Sequence, residues 1–351
     1  MSSDRRTFLK GLGSAALLTL AYSPESIAQY IPTEFTHTPV NVMIPRDYRI
    51  PTGSELENYK YRLTRATLDL LEEHYSSKPI PVWDKTFREI DMEKRISNIV
   101  FWLLKGVENH QAIYPVDPAW AISMIMKESY FYEFAISKAL AIGICQFVQP
   151  TALSYNMICA GQQTAHKRSP YKLIQYASEA TRYYELRTQR RAYRRKYRPK
   201  NRFTIQQALQ VISDGASKAD KEKAQKQLAY EKRYSKFSDD MIKARENYRN
   251  YLLANVKGRD IFNRRDVQFL VGFEERFTYK KPLDSMVKML ASSLRARSGN
   301  ILAAAIGYNA GLSSTKAVGR YEPFGRIPAI EQSTTYLSHI LVNHHDITSR
   351  M

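Results

Sequence analysis

The chain has 351 residues, 53 Lys plus Arg against 34 Asp plus Glu, a formal net charge of +19 and a pI near 9.7. That length exceeds one typical domain, and the 44% hydrophobic content is ordinary for a globular protein, so one domain plus additions is the expectation. With only Cys145 and Cys159 there is no disulfide framework; two core thiols are expected, with a single bridge between them as the alternative.

The first 28 residues read as an export signal. Arg5-Arg6-Thr7-Phe8-Leu9-Lys10 is a twin-arginine stretch, and a charge-free apolar run follows from Gly11 to Tyr22. That run is too short to span a bilayer of about 30 Å, and Ser26-Ile27-Ala28 offers small residues for cleavage before Gln29. A periplasmic protein is the expectation, free or associated with wall or membrane, with Asp4 standing where twin-arginine signals usually carry Ser or Thr. No later segment has 18 consecutive apolar residues.

Residues 29–90 read as an extended arm followed by a helix. Pro32, Pro39, Pro45 and Pro51 favour extended backbone, and 54–74 is rich in helix formers. From Asp91 the apolar residues Ile96, Ile99, Val100, Leu103, Leu104 and Val107 share one helical face. Asp117-Pro118 then supplies an N-cap and a first-turn proline for a helix ending near Ser129. Glu128 sits at its C-terminal end.

Residues 161–260 hold about 25 Lys plus Arg against 10 Asp plus Glu, with recurring Tyr176, Tyr183, Tyr184, Tyr193, Tyr197, Tyr230, Tyr234 and Tyr248. They predict long helices broken near Pro199–Asn201 and at Asp214-Gly215. The segment reads either as a charged helical hairpin with a solvated face or as a surface for an acidic protein or an anionic wall polymer. Arg187, Arg190, Arg191, Arg194, Arg195, Lys196, Arg198 and Lys200 form its densest cluster. Two more helices are expected over 284–294 and 301–310. The His344-His345-Asp346 run reads as an exposed tail, the seven histidines show no metal spacing, and neither a metal nor a nucleotide is expected. The fold class is mainly α.

Three segments carry the chemistry: Lys127-Glu128-Ser129-Tyr130-Phe131, the stretch Ser137 to Ala152, and Gly307-Tyr308-Asn309-Ala310-Gly311. In this order they resemble the soluble lytic transglycosylase family, whose domain is a lysozyme-like helical fold of the goose type. The resemblance covers about 96–160 and 283–340. It implies a lytic transglycosylase domain in two parts, 91–160 and 261–345, interrupted by the basic helical insertion.

The resemblance implies that Glu128 is the catalytic acid, that Ser137, Gly143, Gln146, Tyr308 and Asn309 bind substrate, and that Ser129, Glu331 and Tyr336 support them. Breaking a glycosidic bond requires a carboxyl that stays protonated near neutral pH, which the helix end and the neighbours Met124, Ile125, Phe131 and Phe134 favour. Tyr308 is expected to orient that carboxyl.

No second carboxylate holds a matching place, so the resemblance implies attack by the muramoyl 6-hydroxyl in place of water, leaving a 1,6-anhydro end on a peptidoglycan strand. Two alternatives stand. One is a hydrolytic muramidase using Glu133 or Glu331 as a second acid; the other is a non-catalytic wall-binding or assembly scaffold. Nucleic acid is not an expected partner of an exported protein. Leu140 departs from the family's glycine and is expected to reshape the substrate wall; Cys145 replaces its methionine.

Overall fold

The computed structural model describes residues 42–315 and 331–351. The export signal and the arm up to residue 41 lie outside the described residues, as does 316–330. The chain is mainly α, with eleven α-helices among the described residues. In order they are α1 (Ser54–Tyr75), α2 (Met92–His110) and α3 (Pro118–Ser129), then strands β1 (Ala141–Ile142) and β2 (Phe147–Val148) and helix α4 (Gln149–Ser154). Next come α5 (Glu179–Tyr197), α6 (Ile205–Asp214), α7 (Lys218–Val256), α8 (Arg264–Phe273), α9 (Lys280–Ala296), α10 (Ile301–Ala310) and α11 (Glu331–Arg350).

Two units partition these elements: one comprises residues up to Cys159 and from Gly258 onward, the other Ala160–Lys257. In the first, α2 packs between α1 and α9, α10 lies on α9, and α11 packs along α3 and α1. Helix α3 is the centre of this unit. All twelve of its residues are buried, the polar Ser123, Lys127, Glu128 and Ser129 among them. Asp117 caps it by accepting from the Ala119 amide at 2.9 Å, and Pro118 fills the first turn where no N–H partner exists.

The described part of the N-terminal arm pairs along 42–44 and then turns, the Tyr48 amide donating to the Pro45 carbonyl at 3.2 Å. Ile44 donates to the Gly299 carbonyl at 2.9 Å, Ile301 donates to the Val42 carbonyl at 3.0 Å, and the Tyr114 hydroxyl donates to the Ile44 carbonyl at 2.7 Å. Main-chain pairing therefore fixes it beside the start of α10.

Helix α11 corrects one expectation. His344 is not in an exposed tail: it is 4% exposed, and its Nε2 lies 2.7 Å from Asp117 Oδ2. One carboxylate thus caps α3 with one oxygen and holds α11 with the other.

The second unit is built on α5 and α7, which pack against each other. Its core is aromatic: Tyr193 and Tyr230 stack at 5.6 Å, Tyr230 and Tyr234 at 5.7 Å, and the Arg190 guanidinium lies 5.5 Å over the Tyr234 ring. Aromatic rings here supply the apolar area that a Lys/Arg-rich hairpin otherwise lacks. At the other end of α7, Tyr248 and Tyr251 donate to the carbonyls of Ala160 and His166, and the Asn255 side chain pairs with both backbone groups of Lys172. Segment 160–177 thus adds these side-chain bonds to its two short 3₁₀ turns, Thr164–Lys167 and Ile174–Tyr176.

Candidate active site

Glu128 is 3% exposed, one residue before the end of α3. The chain leaves the helix through two consecutive left-handed residues, Tyr130 at φ 47° and Phe131 at φ 63°, a conformation that non-glycine residues occupy at a cost. Its neighbours hold it there. Trp83 Nε1 donates to the Tyr130 carbonyl at 2.8 Å, and the Phe131 side chain is wholly buried.

The Tyr336 hydroxyl donates to Glu128 Oε1 at 2.7 Å. This corrects the assignment of that bond to Tyr308, whose hydroxyl donates instead to the Cys145 carbonyl at 2.6 Å. The physical reason is the burial of α11 against α3, which brings Tyr336, itself 2% exposed, onto the carboxyl. Burial pushes the Glu128 carboxyl up from 4.5 to about 7, against the opposing pull of the Tyr336 hydrogen bond and the Lys127 charge. Burial and the Glu128 charge hold the Tyr336 hydroxyl well above its ordinary value, so it remains a donor.

Lys127 is 8% exposed, and burial lowers its ammonium to about 8. His339, one turn beyond Tyr336 on α11, is lowered to about 4 by burial and by Lys127, so it is neutral at neutral pH. His339 was not singled out from the sequence, and Lys127 entered only as part of the Lys127–Phe131 segment, without a role of its own. Their signal was weak: Lys127 differs in no way, as a letter, from an exposed helical lysine.

The β1–β2 hairpin packs behind the end of α3. The Ser129 hydroxyl donates to the Ile144 carbonyl at 2.9 Å, tying the helix end to the hairpin turn. Ser137 Oγ accepts from the amides of Ala139 and Ala141 at 3.3 and 3.0 Å, so it closes the turn leading into β1. Gly143 is required by its backbone: φ is 76°, and a Cβ there would stand 1.7 Å from the Arg276 carbonyl oxygen. Its side face therefore packs on backbone rather than being open to a ligand.

Gln146 is 7% exposed and donates from Nε2 to the Gly143 carbonyl at 2.8 Å, while its Oε1 is buried with no partner among the described residues. Gln149, which the sequence reading passed over, is 4% exposed with a buried, unpartnered Nε2. An acceptor and a donor three residues apart are thus left for another molecule to satisfy.

Leu140 does not line a wall: it is 1% exposed, at φ 60°. The left-handed backbone accounts for a glycine at this position in the family. Here a leucine accepts the strained conformation and gains burial.

A buried ion pair underpins the hairpin. Arg276 Nε and Nη2 each lie 2.7 Å from an oxygen of Glu274, both side chains are fully buried, and Arg276 Nη1 donates to the Phe147 carbonyl at 3.1 Å. Cys145 and Cys159 are buried free thiols, and burial pushes Cys159 up to about 12.

Asn309 is half-buried in the last turn of α10, which ends at Gly311 with φ 87°. Of the two residues weighed as a second acid, Glu133 is 2% exposed and paired with Arg95 at 3.0 Å, and Glu331 is exposed at the first position of α11.

A search of curated proteins and a search of solved structures return no match. The family model of the transglycosylase SLT domain matches residues 107–194. It takes in Glu128, Ser129, Ser137, Gly143 and Gln146, leaves Tyr308, Asn309, Glu331 and Tyr336 outside, and runs past Cys159 as far as α5. Over those residues the chain carries a transglycosylase SLT domain, the mark of a lytic-transglycosylase-type protein that acts on peptidoglycan.

Proposed function

We propose that this protein is an exported lytic transglycosylase that cleaves the β-1,4 bond between muramoyl and glucosaminyl sugars without water, using Glu128 as both acid and base. The observation that carries this reading is the carboxyl buried at the end of α3, raised to about 7 and held by one tyrosine hydroxyl rather than by a counter-ion as Glu133 and Glu274 are. Tyr336 occupies Oε1, which leaves Oε2 to carry the proton. On cleavage Glu128 gives that proton to the departing glycosidic oxygen, and the carboxylate formed is stabilised by the Tyr336 hydroxyl and the Lys127 charge. The same carboxylate then takes the proton of the muramoyl 6-hydroxyl as its oxygen bonds to the anomeric carbon. The muramoyl N-acetyl group stabilises the cation in between.

This route needs no second acid, and the structure offers poor ones. Glu133 is engaged by Arg95, which favours the transglycosylase over a hydrolase. We assign sugar contacts to the buried but unpartnered Gln146 Oε1 and Gln149 Nε2 and to Asn309, which follows Tyr308 in α10, with Ser129, Ser137, Gly143 and Tyr308 shaping the backbone of the site. The twin-arginine segment supports a periplasmic location.

Digestion of purified sacculi should fall as pH rises through about 7, because the reaction begins from protonated Glu128. Tyr336→Phe removes a bond that favours the carboxylate, so the alkaline limb of the profile should move to higher pH. The rate below that limb should drop by roughly tenfold or more, the weight of a hydrogen bond to a charged group at about 1.5–3 kcal/mol. An unshifted limb in Tyr336→Phe would remove Glu128 as the titrating group.

A further inference from the structure

We infer that the turn region of the basic hairpin, residues 197–228, docks on an anionic lipid surface, with α6 lying in the interface. Helix α6 is amphipathic, yet its apolar side faces solvent: Ile205 is 83% exposed, Leu209 62% and Ile212 77%. These residues follow i, i+4, i+7 spacing and form one stripe. The opposite side carries Gln206, Gln207 and Gln210, with no cation. Ala208 and Val211 are its half-buried positions, so the three larger side chains are left with nothing to cover them.

Folding does not explain that arrangement. Thr204 caps α6 by a capping box with Gln207, and Gln210 donates to Asp214 at 2.7 Å, so the helix is held by its own polar groups. Its aliphatic face adds nothing to the fold and is a solubility liability unless something covers it. Leu228, 68% exposed, lies on α7 next to Gln227, which accepts the Phe203 amide at 2.8 Å, so it belongs to the segment entering α6. Tyr197, 52% exposed, ends α5.

Charge selects the occupant. Lys200 precedes α6, and Lys218, Lys221 and Lys226 follow it, all exposed. Of the nearby acids, Asp214 is engaged by Gln210, Asp220 by the Ser217 cap and Glu231 by Arg202, while Glu222 is exposed between Lys221 and Lys223 and leaves the lysines in excess. Aliphatic side chains on a short helix, an aromatic at the edge and flanking lysines match the acyl–headgroup boundary of an anionic membrane. None of the described helices is long and apolar enough to cross a membrane, so the contact is peripheral. The inference is independent of the enzymatic reading.

The test is flotation of the chain from Gln29 onward with vesicles of phosphatidylglycerol and phosphatidylethanolamine, beside vesicles of phosphatidylcholine alone. The expected result is binding to the anionic vesicles only, weakened by salt. The triple substitution Ile205→Ser, Leu209→Ser, Ile212→Ser should lower it about tenfold or more. Those side chains are exposed, so the fold should survive, with circular dichroism as the check. A second variant, Lys218→Gln, Lys221→Gln, Lys226→Gln, should weaken anionic binding while leaving the apolar stripe intact. Absence of binding to anionic vesicles would overturn the proposal. So would binding that ignores the triple substitution and is matched on polyglutamate beads, which would assign the surface to an acidic protein or polymer.

Discussion

Glu128→Gln is expected to abolish sacculus cleavage and at the same time make the protein more stable above neutral pH. The catalytic loss should be on the order of 10²–10⁴-fold or larger, since one group serves both proton transfers. The stability gain follows from the raised carboxyl: a group at 4.5 in the unfolded chain and about 7 in the folded one costs nothing below the lower value. The penalty grows as pH rises between the two and is complete above the upper one. A difference of that size corresponds to about 3 kcal/mol. Glutamine keeps an oxygen to accept from Tyr336 and carries no charge, so denaturation midpoints should rise by that order near pH 8 and stay unchanged near pH 4. A variant that lost activity without this pH-dependent gain would indicate a carboxyl exposed to water in the working protein.

The second large effect is expected at Arg276. Truncation to methionine takes the Arg276 guanidinium from the buried Glu274 carboxylate and removes the donor to the Phe147 carbonyl, a loss of about 3–5 kcal/mol. Urea denaturation at constant slope should read that loss as a lowered midpoint. Adding Glu274→Gln should return part of it, because the buried charge is then gone. The hairpin carrying Gln146 rests on this pair, so Arg276→Met should lower digestion even under conditions where the fold survives. If the double variant is no more stable than Arg276→Met, the buried charge is not the source of the loss.

Much of the helical framework was legible in the letters. Pro118 and Ser129 bound α3 because Asp-Pro is a strong start signal; the 96–107 periodicity found α2, and Gly215 and Gly311 end helices at positive φ. The burial of α11 was not legible. Its sequence mixes Ser, Thr, His and Asn with the aliphatics, and its buried face joins Ile340 and Ile347 to Tyr336 and His344, which reach polar partners at the two ends of α3. Tertiary hydrogen bonds of that kind have no periodic signature.

The same limit explains the exchanged tyrosines. The motif containing Tyr308 marked it as a neighbour of the chemistry, but which of two hydroxyls reaches Glu128 is decided by packing more than 200 residues apart in the chain. Glu274 and Arg276, two positions apart among other charges, look like surface residues until the hairpin closes over them. Leu140 shows the converse. The family's glycine there reflects a left-handed backbone, and the sequence departure changes a strained core position rather than the substrate wall.

The most direct measurement is mass spectrometry of the fragments released from purified sacculi by the chain from Gln29 onward, with Glu128→Gln alongside. The account predicts muropeptides ending in 1,6-anhydro-muramoyl residues, absent with Glu128→Gln. Reducing muramoyl ends, or no release by a folded protein, would contradict it.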